Sequence, residues 1–216
     1  MAHELTEAQR HTLRELCDTI VPPIARDPDP TGFWGRSATD LGVDEAIAEA
    51  LDPMPPDQRE GLQELLDALA GQGFLGASQL SREQLLVNLQ LASRDAAFGI
   101  GALTALTLFF AYGLVDERGQ NPNWQILGYP GPISPAPAVP KPIRPLVPDG
   151  DTTLEADAVV VGSGAGGGVI AARLAERGLK VVVLEAGAYF DEADFNQVEV
   201  WAHQNLYWRG GPTPTG

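Results

Sequence analysis

Apolar positions in the first 120 residues recur at helical spacing. Leu13, Leu16, Cys17 and Ile20 fall on one face of a helix that the capping-box pair Thr6 and Gln9 opens and Pro22 and Pro23 close. This predicts a helix over residues 7–21. A shorter helix is expected from Val43 to Leu51. Leu62, Leu65, Leu66 and Leu69 then stand at i, i+3, i+4 and i+7 after Pro56, with Glu60, Glu64 and Asp67 on the polar side, and predict a helix that stops at Gly71 and Gly73. Ser81 with Gln84 repeats the capping-box pattern, and Leu80 and Leu85 flank it as a hydrophobic staple, so a further helix is expected to begin at Arg82.

The stretch from Ala96 to Val115 carries no charge in 20 residues, long enough to cross a bilayer. Gly99, Gly101 and Gly113, Thr104 and Thr107, and flanks with no basic excess favour a different reading, a central helix buried on all faces of a helical domain. Membrane association stays open as the second reading. From Gly128 to Gly150 eight prolines occur in 23 residues, which rules out a helix or a central strand and predicts an extended, semi-rigid strap. Recognition by an SH3-type domain is an alternative use of such a segment.

After the strap the period changes from helix to strand. Ala156–Val161 is a run of small and β-branched residues that ends directly in Gly162-Ser163-Gly164-Ala165-Gly166-Gly167. A buried parallel strand feeding a glycine turn and then a helix is the layout of a dinucleotide site. Gly162 allows the tight turn, Gly164 lets a diphosphate approach the backbone, and Gly167 lets the helix lie close to the strands. The helix start supplies free N–H groups and partial positive charge, so a diphosphate needs no Lys or Arg there. Ala171, Ala172 and Ala175 keep one side of the helix slim, and Gly178 stands where its C-terminal cap belongs. A second strand, Lys180–Leu184, delivers Glu185 with Ala186 and Gly187 behind it, 23 residues after Gly162. A carboxylate there accepts both hydroxyl hydrogens of an adenosine ribose and repels a 2′-phosphate, which argues against NADP.

Composition narrows the partners. With 14 Lys and Arg against 29 Asp and Glu the net charge is −15, which disfavours nucleic acid and anionic lipid. One cysteine, Cys17, excludes an internal disulfide and a cysteine-based metal site, and its place among Leu13, Leu16 and Ile20 marks it as a small core residue. The opening MAHELTEAQR lacks the basic and apolar segments of a signal peptide, so the expected location is the cytoplasm.

Turn geometry does not separate FAD from NAD, because both carry an ADP half. The stretch GSGAGGGVIAARLAERGLKVVVLEAG resembles the FAD-binding start of the glucose-methanol-choline (GMC) oxidoreductases, down to Leu184-Glu185-Ala186-Gly187. Gly119-Gln120-Asn121-Pro122-Asn123-Trp124 and Leu127-Gly128-Tyr129-Pro130-Gly131-Pro132 resemble the helical extension of the long-chain alcohol oxidases in that family. LTEAQRHTLRELCDTIVPP is similar to the small subunit of gluconate dehydrogenases, gluconate 2-dehydrogenase subunit 3. The resemblance implies FAD as cofactor, a small-molecule alcohol as substrate, and hydride transfer to the flavin assisted by a histidine near the family's carboxyl terminus. No position matches that histidine. His3 and His11 lie at the helical start, and His203 has no orienting carboxylate near it in sequence.

The expected fold class is α/β: an incomplete Rossmann-like FAD-binding βαβ start preceded by an all-α domain. Residues 1–120 form the helical domain, 121–150 the proline-rich linker, and 151–216 the beginning of the FAD domain. Strands as apolar as AVVV and VVVL need neighbours and cover, and residues 188–216 hold no further strand-length apolar run, so further strands are expected to come from a longer parent. A non-catalytic electron-transfer or anchoring subunit and an NAD-linked enzyme are the rival functions.

Overall fold

A computed structural model describes residues 5–52 and 54–207. His3 and the tail from Trp208 to Gly216 lie outside the described residues. Two compact units are present: one runs to Ile133 and takes in Gln197–Trp201, the other holds Ser134–Asn196 and continues from Ala202.

The first unit is helical. Helix α1 (Glu7–Ile20) opens on the expected capping box, with the Gln9 N–H donating to Thr6 Oγ1 at 3.2 Å and the Thr6 N–H donating to Gln9 Oε1 at 3.0 Å. Helix α2 (Val43–Leu51) leaves from Gly42, whose φ of 72° lies in the left-handed region. Helix α3 (Pro56–Gly71) places proline in its first turn and buries Leu62, Leu65, Leu66 and Leu69 as their spacing requires. These pack with Leu13, Leu16, Val43, Ile47, Phe74, Ile100 and Leu103 in one core. Each fully buried Leu or Ile contributes about 1.5–3 kcal/mol relative to exposure. Cys17 lies in the same core, receives a hydrogen bond from Thr107 Oγ1 at 3.6 Å, and burial pushes its thiol up to about 12. It remains an uncharged thiol at neutral pH, a packing residue and no nucleophile.

Helix α4 (Gln79–Ala92) starts earlier than the sequence pattern indicates. Ser78, not Ser81, is its cap, accepting from the Ser81 N–H at 3.3 Å. Ser78 and Ser81 are both competent caps. The earlier start gains the Arg82 N–H to Ser78 carbonyl bond of 3.0 Å, lets Gln79 donate to the Thr19 carbonyl at 2.8 Å, and brings Arg82 to Glu15. Leu80 is then 75% exposed and forms no staple.

Helix α5 (Arg94–Gly113) is the long uncharged helix, and it is not buried on all faces. One stripe, Gly99, Ile100, Leu103, Thr107, Phe110 and Ala111, enters the core, while Phe98, Leu108 and Tyr112 are exposed on the other side. Gly99 lets α5 lie close to α3, since a methyl group there would meet Leu65 Cδ2 at 2.8 Å and displace that side chain. By length and composition α5 could cross a membrane, with 39% of its most apolar window buried in the protein.

The end of α5 is closed by the segment that follows it. Asn121 Nδ2 donates to the carbonyls of Ala111 (3.1 Å) and Leu114 (2.7 Å), Asn123 Nδ2 donates to Ala111 (3.1 Å), and Trp124 Nε1 donates to Tyr112 (2.7 Å). The last carbonyls of a helix have no partner within it, and here three side chains supply one. Helix α6 (Trp124–Leu127) then turns at Gly128, whose φ is 67°.

In the second unit the strap forms neither helix nor strand, as its prolines dictate. Lys141 ties it down: its Nζ lies 2.6 Å from Asp194 Oδ2, donates to the Tyr189 carbonyl at 3.1 Å, and sits 5.4 Å from the Tyr189 ring centre. Asp194 raises the Lys141 ammonium above its ordinary value. Strands β1 (Ala158–Val161) and β2 (Val181–Leu184) pair in parallel, Ala158 opposite Val181 and Val161 opposite Leu184, with helix α7 (Ala165–Glu176) between them in sequence. Together they make a small two-stranded parallel sheet with a helical crossover. Both strands are shorter than the apolar runs predict. Val159, Val161 and Leu184 are exposed. Helix α8 (Glu199–Leu206) ends the described elements.

Candidate dinucleotide site

The glycine turn is built from distinct requirements at each position. Gly162 extends the strand ladder by one bond, its N–H donating to the Leu184 carbonyl at 2.8 Å, and then takes φ of 90°, a value that any side chain would strain. Gly167 lies under the turn: a methyl group there would fall on the Gly162 carbonyl oxygen and 3.3 Å from Val160 Cγ1. That contact sets how closely α7 rests on β1.

Gly164 and Gly166 differ from these two. A methyl group at either would meet no protein atom within 4 Å, and Gly164 caps α7 without a side-chain hydrogen bond. The protein's own packing therefore does not call for glycine there. Open space in front of a helix start that carries backbone N–H groups is the shape and charge a diphosphate fits. Ser163 and Ala165 complete the turn, both exposed. At the other end of α7 the Gly178 N–H donates to Ala175 at 2.8 Å and the Leu179 N–H to Leu174 at 3.3 Å, the paired bonds of a glycine-capped terminus. Of the three alanines expected to slim the helix, Ala171 is half-buried beside Gly167 and Leu174, while Ala172 and Ala175 face outward.

Glu185 stands at the end of β2 and is held by three hydrogen bonds. The Ser163 N–H and Oγ–H both donate to Oε2 at 2.7 Å, and the Gly187 N–H donates to Oε1 at 2.9 Å. The Gly187 amide, then the Ser163 amide and hydroxyl, bring its carboxyl from the ordinary 4.5 down to about 2, with a smaller contribution from the Ala186 amide. A carboxyl lowered on folding favours the folded loop in full above pH 4.5, and that contribution disappears as pH falls through about 2. Glu185 is therefore an anion throughout the neutral range. Replacing it with Gln is expected to weaken dinucleotide binding about tenfold to a hundredfold at pH 7, measured by calorimetric titration, because a charged acceptor is exchanged for a neutral one.

Of the residues the sequence selected, the structure joins Ser163 and Gly187 to Glu185 and packs Gly167 on Gly162, with Gly164, Ala165, Gly166 and Ala186 in the same two turns. What sequence reasoning did not anticipate is the link between Ser163 and Glu185, whose only signal is a hydroxyl between two glycines of the turn. His11 lies on the exposed side of α1, and His203 stacks on Tyr207 with ring centres 5.3 Å apart.

Comparison with known proteins agrees with this geometry. Residues 157–196 match the FAD binding domain family. A long-chain-alcohol oxidase of Arabidopsis thaliana is 55% identical over 65 residues, covering 29% of this chain and 9% of the oxidase. A second long-chain-alcohol oxidase of that plant is 29% identical across 93% of this chain and 38% of its own length. An uncharacterized GMC-type oxidoreductase of Mycobacterium tuberculosis is 45% identical over 69 residues, 32% of this chain and 11% of that protein. The chain spans well under half the length of each of these relatives. No solved structure matches it significantly. With the strand-turn-helix-strand-acid geometry and these matches together, the chain is similar to the GMC family of FAD-dependent oxidoreductases and to long-chain-alcohol oxidases, and FAD is the cofactor that its segment 157–196 fits.

Proposed function

We propose that the chain is the cofactor-holding part of an enzyme that oxidises CH–OH groups, with long-chain or other primary alcohols as substrates. The observation that carries this reading is the single constellation of Gly162, Gly167, the open start of α7 and the ionised Glu185. When bound, the flavin supplies the acceptor for the alcohol hydride. The residues of this chain bind and orient: the start of α7 takes the diphosphate, and Glu185 takes the adenosine ribose. The alcohol substrate is supported by the names of the matched oxidases. Exposure of Val159, Val161 and Leu184 supports completion of the sheet by further strands of the same domain, since apolar parallel strands need neighbours and cover.

The experiment is an absorption spectrum of the purified full-length protein. A visible flavin band that survives desalting is the expected result. Nicotinamide released on denaturation, with no flavin, would instead support an NAD-linked enzyme.

A further inference from the structure

On α5 the residues Phe98, Gly101, Ala105, Leu108 and Tyr112, all exposed, follow one another at alternating steps of three and four. That spacing is the seam along which one helix meets another. No charge interrupts the stripe, and a continuous apolar surface of this kind marks a place of contact. Gly101 gives an independent sign. Glycine destabilises a helix interior relative to alanine, and a methyl group at 101 would meet no atom of the protein within 4 Å, unlike one at Gly99. Packing inside the unit gives no reason for glycine at 101, whereas close approach of a second body from outside does.

We propose that this stripe is a self-association face, on which two copies of the chain cross antiparallel about a two-fold axis at Ala105. Its large and small residues are ordered for that crossing: Phe98 stands seven residues before Ala105 and Tyr112 seven after. The axis then sets Phe98 of one copy against Tyr112 of the other, Gly101 beside Leu108, and Ala105 on its own equivalent. Charge at the two ends agrees. Arg94 stands 11 residues before Ala105 and Asp116 11 after, with Glu117 next to it, and all three are exposed. None of them forms an ion pair among the described residues. The antiparallel crossing brings Arg94 toward the other copy's Asp116 and Glu117, and Asp95 toward Arg118, at both ends. A parallel pair would set Arg94 on Arg94 and Asp116 on Asp116, which is repulsive. A lipid surface would use neither the order of sizes nor the order of charges.

The test is sedimentation equilibrium of the full chain in detergent-free buffer, where a monomer–dimer equilibrium with a Kd of about micromolar order is expected for one helix crossing. Gly101→Leu should weaken it at least about tenfold by filling the space for Leu108, while thermal unfolding of the monomer is unchanged or higher. Arg94→Glu should weaken it about tenfold at low salt and less at high salt. Orientation is read by disulfide capture with an added oxidant, because Cys17, the one native cysteine, is buried and does not compete. Ala105→Cys should give a covalent dimer, and Phe98→Cys should give one only when mixed with Tyr112→Cys. The capture needs no Gly101 variant, so it decides the matter even if Gly101→Leu fails to fold. Self-capture by Phe98→Cys means a parallel pair and overturns the proposal. A chain that stays monomeric at every concentration also overturns it, whether it remains in solution or floats with neutral phosphatidylcholine vesicles.

Discussion

Gly167→Ala is expected to abolish retention of FAD and to destabilise the second unit by about 3 kcal/mol or more, the upper range for forcing a methyl group into a packed contact. The added carbon would fall on the Gly162 carbonyl, which is backbone and has no rotamer by which to yield. Relief requires α7 to lift from β1 or the turn to open, and either movement takes the helix start away from the ligand. Gly166→Ala provides the contrast. Its methyl group meets no protein atom within 4 Å, so the ligand-free protein should be as stable as the wild type or slightly more so, because alanine favours helix. Its cofactor affinity should still fall, since the methyl group projects into the space assigned to the ligand. Thermal unfolding and the flavin absorption of desalted protein, measured on both variants, check these outcomes. Equal stability of the two variants would refute the packing argument for Gly167.

Asn121→Ala is expected to cost the helical unit about 2–4 kcal/mol, read from chemical denaturation. Asn121 is 4% exposed and makes three hydrogen bonds: two from Nδ2 to the carbonyls of Ala111 and Leu114, and one accepted by Oδ1 from the Asn123 N–H at 2.8 Å. Alanine removes all three and leaves a buried N–H and the Leu114 carbonyl without this partner, which costs more than the net value of the bonds themselves. Asn121→Asp, nearly the same size, should be no better. Its carboxylate keeps the bond from Asn123 but turns an acceptor toward two carbonyl oxygens. Full stability in Asn121→Asp would show that size alone matters at this position.

These two sites show what kind of residue each level of description reaches. The NPNW segment was legible in the sequence only as a resemblance to the alcohol oxidases; its physical role, closing the carbonyl end of α5, depends on side chains from 121–124 returning to residues 111–114. The glycine turn was legible position by position, because each glycine answers a local demand: a left-handed φ at Gly162 and a close approach at Gly167. The cap of α4 was read three residues late, since two serines at helical spacing are equivalent locally and only the contacts of Gln79 and Arg82 with α1 separate them. The exposed side of α5 was misread for a related reason. A helix without charges carries no polar face to mark which side is outside, so Phe98 and Leu108 look as buried in sequence as Leu103 does.

By itself the sequence determined α1, α2, α3, α5 and α7, the existence but not the start of α4, the extended strap, the order strand-turn-helix-strand and the acid at its end, and left α6 and α8 unmarked. Periodicity, proline geometry and glycine conformations act over a few residues and leave their mark in the order of side chains. Only the tertiary structure decided which face of α5 is covered, which side chains close its end, and how Ser163 holds Glu185. Those depend on residues distant in the chain arriving within hydrogen-bond reach, and no spacing along the sequence encodes that distance.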